Sequence, residues 1–215
     1  MDTDAEGGAV MMRRLSTGLL VIGLLLLGYV GYQKLTVQQT LTTELAKAKD
    51  VVQAEGTSST TAKSETKSKR SKEKTEDVLF QTGETVGYLE VPSLEMELPV
   101  LEGVDDATLA KGVGHHPETA FPGQGDRIFL AGHNDTTFSK ISKLKKGDEV
   151  VLYLANGSYR YVMQSSEIVD YKDTRVLEST KQESLVVSTC YPFYNVTDST
   201  ERYLIYFEPV EEDAS

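Results

Sequence analysis

Acyl transfer by a thiol needs three groups in one place: a sulfur to attack the carbonyl, an imidazole to move a proton, and a donor to steady the oxyanion. The chain holds one cysteine and three histidines among its 215 residues. Cys190 ends the apolar run Leu185–Thr189 and is followed by Tyr191-Pro192-Phe193. A lone cysteine is most often a small buried hydrophobe. Two features favour a working thiol here. A strand end facing a loop is where reactive side chains are presented. An unpaired thiol outside the cytoplasm is also an oxidation hazard, so its retention points to a use.

A cysteine is activated by a neighbouring imidazole or cation. His133 lies in Leu130-Ala131-Gly132-His133-Asn134-Asp135, directly after the run Arg127–Ala131. If that run is a strand parallel to 185–190, both strands deliver their side chains to the same sheet edge. His115 and His116 fall in the glycine-rich Gly112-Val-Gly-His-His-Pro117. A turn or surface place is the preferred reading of both, with His115 the one able to line a groove. Eleven residues, Tyr191 to Glu201, join 185–190 to the run Arg202–Phe207. Antiparallel pairing of those two runs would bring Arg202 beside Cys190, where a guanidinium can hold an oxyanion. The bland alternative for Arg202 is a surface ion pair with Glu201 or Glu208. Arg127 starts its strand and would point to the opposite edge.

The elements that must position these groups are short strands. Alternating or apolar runs cover Val86–Val91, Met96–Leu101, Arg127–Ala131, Glu149–Leu154, Ser158–Met163, Leu185–Cys190 and Arg202–Phe207. Asn156-Gly157, between the fourth and fifth, is a hairpin-turn signal. Two short helices fit between strands, one opening at Asp105-Asp106 and ending before Gly112, the other across Thr137–Leu144. Many short strands with few helices predict a mainly β fold, a barrel or a sandwich.

Upstream of that domain, Leu15 to Gln33 carries no charge. Its length as a helix is about 28 Å, close to the hydrocarbon thickness of a bilayer. A cleavable signal peptide would have a shorter apolar core and small residues at the cleavage site. Bulky residues in Gly28-Tyr-Val-Gly-Tyr-Gln33 predict an uncleaved anchor instead. Arg13 and Arg14 precede it, and Lys34, Lys47 and Lys49 follow it, so basic residues alone leave its orientation open. Leu41, Leu45, Ala48 and Val52 form a narrow stripe at helical spacing, which predicts a stalk helix over about 37–54. Glu55–Asp77 is nearly all Ser, Thr, Lys and Glu and reads as a flexible linker. The resulting organisation is a tail (1–14), an anchor (15–33), stalk and linker (34–77), and a folded domain (78–215).

Charge narrows the partners. The formal net charge is −11, and residues 78–215 hold 11 Lys/Arg against 23 Asp/Glu, or −12. An acidic domain lacks the basic face that a nucleic-acid binder needs.

Together the residues resemble the sortases, membrane-anchored cysteine transpeptidases of Gram-positive bacteria. The resemblance rests on His133 in Leu-Ala-Gly-His-Asn, Cys190 in Ser-Thr-Cys-Tyr-Pro-Phe, and Arg202 opening the last strand. It extends from about Gly87 to Val210 through Gly87-Tyr-Leu-Glu-Val-Pro, Leu98-Pro-Val-Leu-Glu-Gly103, Lys111-Gly-Val-Gly-His115 and Leu144-Lys-Lys-Gly-Asp148. It is greatest to class D, with class A next; a pilin-polymerising class C enzyme fits less well. Val186 departs from the family's usual threonine, a change of packing rather than of chemistry.

The resemblance implies an eight-stranded sortase-type β-barrel with its active site in a groove at one edge. It implies that Cys190 attacks the Thr–Gly or Thr–Ala bond of a Leu-Pro-x-Thr-type sorting signal, that His133 transfers the protons, and that Arg202 holds substrate and oxyanion. Ala131 and Thr189 would line the groove, with Tyr191 in the loop that shapes it. The expected partners are surface proteins bearing the signal, a peptidoglycan-precursor amine and the cell membrane. The N-terminus would lie inside and the catalytic domain outside. No cofactor is required. Some relatives bind Ca²⁺, but the acidic residues near Glu102–Asp106 and Asp170–Asp173 read as solvated rather than as a ligand cluster, so no metal site is expected.

Two other functions use the same sequence. A hydrolytic cysteine protease would employ these groups with water as acceptor, although papain-type enzymes place Cys before His in the chain. A membrane-tethered binding domain without catalysis would leave Cys190 inert and buried, far from His133 and Arg202.

Overall fold

The computed structural model describes residues 4–56, 80–193 and 199–210. The chain divides into two compact units, 1–40 and 41–215. The helix α1 runs from Asp4 to Gly56 without a break. The segments expected as anchor and stalk therefore fall in one helix, and neither Pro nor Gly occurs between Tyr32 and Glu55 to end it. Its segment Gly18–Ala54 is long and apolar enough to cross a membrane, by length and composition. The remainder of the predicted linker, from 57 onward, lies outside the described residues.

Within the second unit, the last turns of α1 seat on strands of the β domain. Ala48 is fully buried. The Lys49 ammonium meets Glu97 at 2.7 Å and lies 5.6 Å from the centre of the Tyr88 ring. Thr85 donates its hydroxyl to Glu44 at 3.4 Å.

The β domain is a closed barrel. Its strands are β1 (Thr85–Val91), β2 (Met96–Glu102), β3 (Val113–His115), β4 (Arg127–Ala131), β5 (Glu149–Leu154), β6 (Gly157–Asp170), β7 (Ser184–Tyr191) and β8 (Glu201–Pro209). They close in the order β1-β2-β3-β4-β7-β8-β6-β5. Six of the seven predicted strands lie within two residues of their expected ends. The seventh, β6, runs seven residues past Met163. It pairs with β5 over its first half and with β8 from Tyr161 to Asp170, and the register shifts between Met163 and Ser165.

Two differences from expectation are local. The eighth strand, β3, has only three residues, too few to show alternation. It is held between β2, parallel, and β4, antiparallel. A Cβ on Gly114 would lie 2.2 Å from the Gly103 carbonyl, so only glycine lets these backbones meet so closely. The helix expected over Thr137–Leu144 is instead a series of turns ending in a 3₁₀ turn at Ile141–Lys143. The Phe138 N–H donates to His133 O at 2.8 Å, and the Ile141 N–H to Phe138 O at 3.0 Å. This winding buries Phe138 and Ile141 together in the core. At the β5–β6 hairpin the two loop residues are Ala155 and Asn156, while Gly157 opens β6 opposite Leu154.

Alternation gives each strand two faces. Ile128 and Leu130 of β4, Leu185 and Val187 of β7, and Ile205 and Phe207 of β8 join the barrel's interior core. Phe129, Val186 and Leu204, of the opposite parity, form a second cluster on the outside, covered by Val176 and Leu177 from the β6–β7 connection. A short helix, α2 (Asp106–Leu109), follows β2; Asp105 caps its start, accepting the Ala107 and Thr108 N–H groups at 3.0 and 3.1 Å.

Candidate active site

The outer face of β4, β7 and β8 sets the site. β4 and β7 are parallel, with Ala131 level with Ser188. Both strands therefore exit at the same edge, β4 into Gly132-His133 and β7 through its last residues, Cys190 and Tyr191. β7 and β8 are antiparallel, with Cys190 directly opposite Arg202. Counting by two from the Phe129–Val186–Leu204 cluster, Ala131, Ser188, Cys190 and Arg202 continue that outer face. His133, Cys190 and Arg202 all line one groove of about 380 Å³. The pairing expected from the hairpin and from the parallel strands thus brings the three groups to one cleft.

Backbone and side-chain bonds hold the two strand exits together. The Gly132 N–H donates to Ser188 O at 3.1 Å. The Thr189 hydroxyl donates to Gly132 O at 2.7 Å. Asn134 donates its amide hydrogens to the carbonyls of Cys190 at 3.1 Å and Pro192 at 3.2 Å. Arg202 directs Nη1 at the backbone carbonyls of Ser199 and Glu201, both at 3.0 Å, and its guanidinium carbon lies 5.9 Å from the centre of the Tyr171 ring. The ion pair with Glu201 or Glu208 that sequence allows is absent among the described residues. Arg127 is at the other end of β4, where it donates to Arg175 O at 2.8 Å.

Cys190 is partly exposed rather than sealed in the core. A thiol there can reach a carbonyl laid along the groove, with an imidazole on one side and a guanidinium on the other. That set of groups can form and resolve a thioester.

Of the other residues expected at the groove, Ala131 and Thr189 line it. Tyr191 is not among its lining residues; its ring packs edge-on against Phe193 at 5.9 Å. His115 does not reach the groove either. It is 1% exposed, its Nδ1 is 2.7 Å from Glu102 and its Nε2 is 3.0 Å from Ala120 O. Glu102 is correspondingly buried, at 6% exposure, and not solvated as its neighbourhood suggested. His116 takes the place at the groove wall, edge-on to Phe129 at 6.0 Å. Burial there pushes the His116 imidazolium pKa down. Val169, from the unforeseen half of β6, and Tyr171, just after the strand's end, also reach the groove. Among the described residues, no group of three or more His, Cys, Asp or Glu side chains is placed to hold a metal ion.

A closed β-barrel carrying its single thiol in an outer-face groove beside His and Arg defines a class of cysteine transpeptidases. The comparisons with known proteins agree. The Sortase domain family model matches residues 89–210. Sortase D of Bacillus subtilis (strain 168) is 35% identical over 193 residues, covering 87% of this chain and 93% of that protein. Sortase C1 of Streptococcus agalactiae superposes with a TM-score of 0.55 at 28% identity, over 60% of this chain and 69% of that one. The Sortase D5 transpeptidase of Clostridium perfringens shares the fold, with a TM-score of 0.62 at 18% identity over 80% of this chain and 99% of that one. The chain belongs to the sortase family.

Proposed function

We propose that this sortase joins surface proteins bearing a Leu-Pro-x-Thr-Gly or Leu-Pro-x-Thr-Ala signal to an amine of the cell wall, with Cys190 as nucleophile, His133 as proton carrier and Arg202 as oxyanion holder. The Cys190 thiolate attacks the threonine carbonyl, and Arg202 faces the oxygen that gains charge. The Thr–Gly or Thr–Ala C–N bond breaks, and His133 gives its proton to the leaving amine. The acceptor amine of a peptidoglycan precursor then attacks the thioester. His133 takes the proton from that amine, the C–S bond breaks, and the thiolate is restored. The groove admits an extended peptide along β4 and β7, with Ala131 and Thr189 in its lining. The apolar part of α1, 15–33, serves as a single-pass anchor in the cell membrane, and the catalytic domain lies outside the cell.

One observation carries this reading: Cys190 and Arg202 are register partners on β7 and β8, and His133 leaves the parallel strand β4 at the same edge of one groove. The test uses the full chain in detergent, a panel of Leu-Pro-x-Thr-Gly and Leu-Pro-x-Thr-Ala peptides, and an amine acceptor, with products read by mass spectrometry. The expected result is an amine-ligated product that Cys190→Ala abolishes. Cleavage to the free acid alone, with every acceptor amine tried, would assign a hydrolase. Folded protein that forms neither thioester nor product would return Cys190 to a structural role.

A further inference from the structure

The reaction as written leaves Asn134 without a part, yet its side chain is buried and bonded twice to the chain around the thiol. Asn134 follows His133 directly and is 6% exposed. Its one side-chain nitrogen carries two hydrogens, and both go to main-chain oxygens of the segment that bears the nucleophile: Cys190 O at 3.1 Å and Pro192 O at 3.2 Å. On the other side of His133, Gly132 is tied to the same segment twice, through Ser188 O at 3.1 Å and the Thr189 hydroxyl at 2.7 Å. The His133 carbonyl itself accepts the Phe138 N–H at 2.8 Å. His133 is therefore bracketed. The residue before it and the residue after it are each bonded across to the chain around Cys190.

We propose that Asn134 is a positioning residue for the transpeptidation: by clamping the carbonyls of Cys190 and Pro192, it fixes the thiol of β7 against the imidazole that leaves β4. The inference rests on the assignment of Cys190 and His133 above. Asparagine suits the task because a short side chain with two N–H groups can bridge two carbonyls. Aspartate has the same shape but would turn a charged acceptor toward two acceptors, and leucine has similar volume without donors. Loss of the clamp leaves two carbonyls without their donor and frees the chain beyond Cys190 to shift. Misplacing reacting groups by about 1 Å costs on the order of a hundredfold in rate. Binding of the distant part of the peptide, along the groove floor, depends on other residues. The loss should therefore fall on kcat and not on KM.

The experiment measures kcat and KM for peptide ligation, and the single-turnover rate of thioester formation, in full-length wild type, Asn134→Asp and Asn134→Leu. Melting temperatures are followed alongside. Val150→Ala, a fully buried position on β5 away from the groove strands, supplies a variant weakened only in the core. Asn134→Leu and Asn134→Asp are expected to lower kcat and the thioester rate by about 10- to 100-fold with KM within about threefold. Val150→Ala should keep kcat within about twofold, whatever its melting temperature. Either Asn134 variant, folded and retaining kcat within threefold of wild type, overturns the inference. So does a loss confined to KM, or one that Val150→Ala reproduces. Should Asn134→Asp fail to fold, Asn134→Leu, which introduces no charge, still decides. Wild type that forms no thioester would instead overturn the assignment of Cys190, and the positioning role with it.

Discussion

His115 and Glu102 face each other at 2.7 Å, both buried, and the other ring nitrogen of His115 is taken by Ala120 O. Removing one member of such a pair leaves the other buried alone. His115→Ala should cost about 3–5 kcal/mol of stability, read by chemical unfolding followed through tyrosine fluorescence, since the chain has no tryptophan. The neighbouring histidine sits on the opposite face, so His116→Ala should leave the melting temperature nearly unchanged and alter peptide selectivity instead. Which of two adjacent histidines turned inward was not legible in the sequence. That choice depends on the parity of β3, and three residues give no alternation to read. Cys190 and Arg202 were legible, because long strands on both sides of the 191–201 connection fixed their pairing. The oxyanion role proposed for Arg202 predicts that Arg202→Lys lowers kcat by on the order of 100-fold, because lysine keeps the charge but not the planar fork.

Asp126 gives a pH-dependent case at the same scale. The Ser179 hydroxyl at 2.5 Å, foremost, and then the Arg127, Thr180 and Lys181 N–H groups hold its carboxyl well below the usual carboxylate range. A carboxyl with a depressed folded-state pKa stabilises above its unfolded value, about 3.9, and loses that contribution as pH falls toward the folded one. Asp126→Asn should therefore melt lower than wild type at pH 7, and the gap should narrow as the pH is taken below 4. Hydrogen exchange at Thr180 and Lys181 should rise in the variant, marking the loop as the part released.

At the scale of elements, what sequence revealed was what periodicity can carry. The far half of β6 escaped because Gln164, Ser165, Ser166 and Glu167 are polar on both faces. What makes that segment a strand is β8, which it pairs with residue by residue to Asp170. The expected helix at 137–144 gives way to turns because its N–H groups bond three or five residues back, Phe138 to His133 O and Ile141 to Phe138 O, instead of forming the regular four-residue ladder. Gly132 shows how tightly the β4 exit is built against that turn. A Cβ there would lie 2.6 Å from the ring of Phe138, itself fully buried. Gly132→Ala should cost about 1–3 kcal/mol by overpacking, measured by thermal unfolding, and should slow ligation because the displaced residue is next to His133.

For the molecule as a whole, the seating of residues 41–54 of α1 on β1 and β2 adds a stalk to the barrel that the sequence placed before a linker but could not dock. Stripe residues such as Ala48 showed which face is apolar, not what covers it. Ala48→Glu puts a charge into a fully buried seat, so it should speed hydrogen exchange in 41–54 and along β1 while leaving the β4–β7–β8 groove protected. The separation of that seat from the groove has a counterpart inside three strands of the barrel. One parity of β4, β7 and β8 is committed to the interior, and the other to the cleft and its floor. Val186, where the family usually has threonine, belongs to the floor cluster with Phe129 and Leu204. A single ribbon therefore carries two nearly independent texts, one spelling the barrel and one spelling the substrate it accepts. Selection, or an engineer, can rewrite the letters that face the open cleft while keeping those of the interior and of the buried floor.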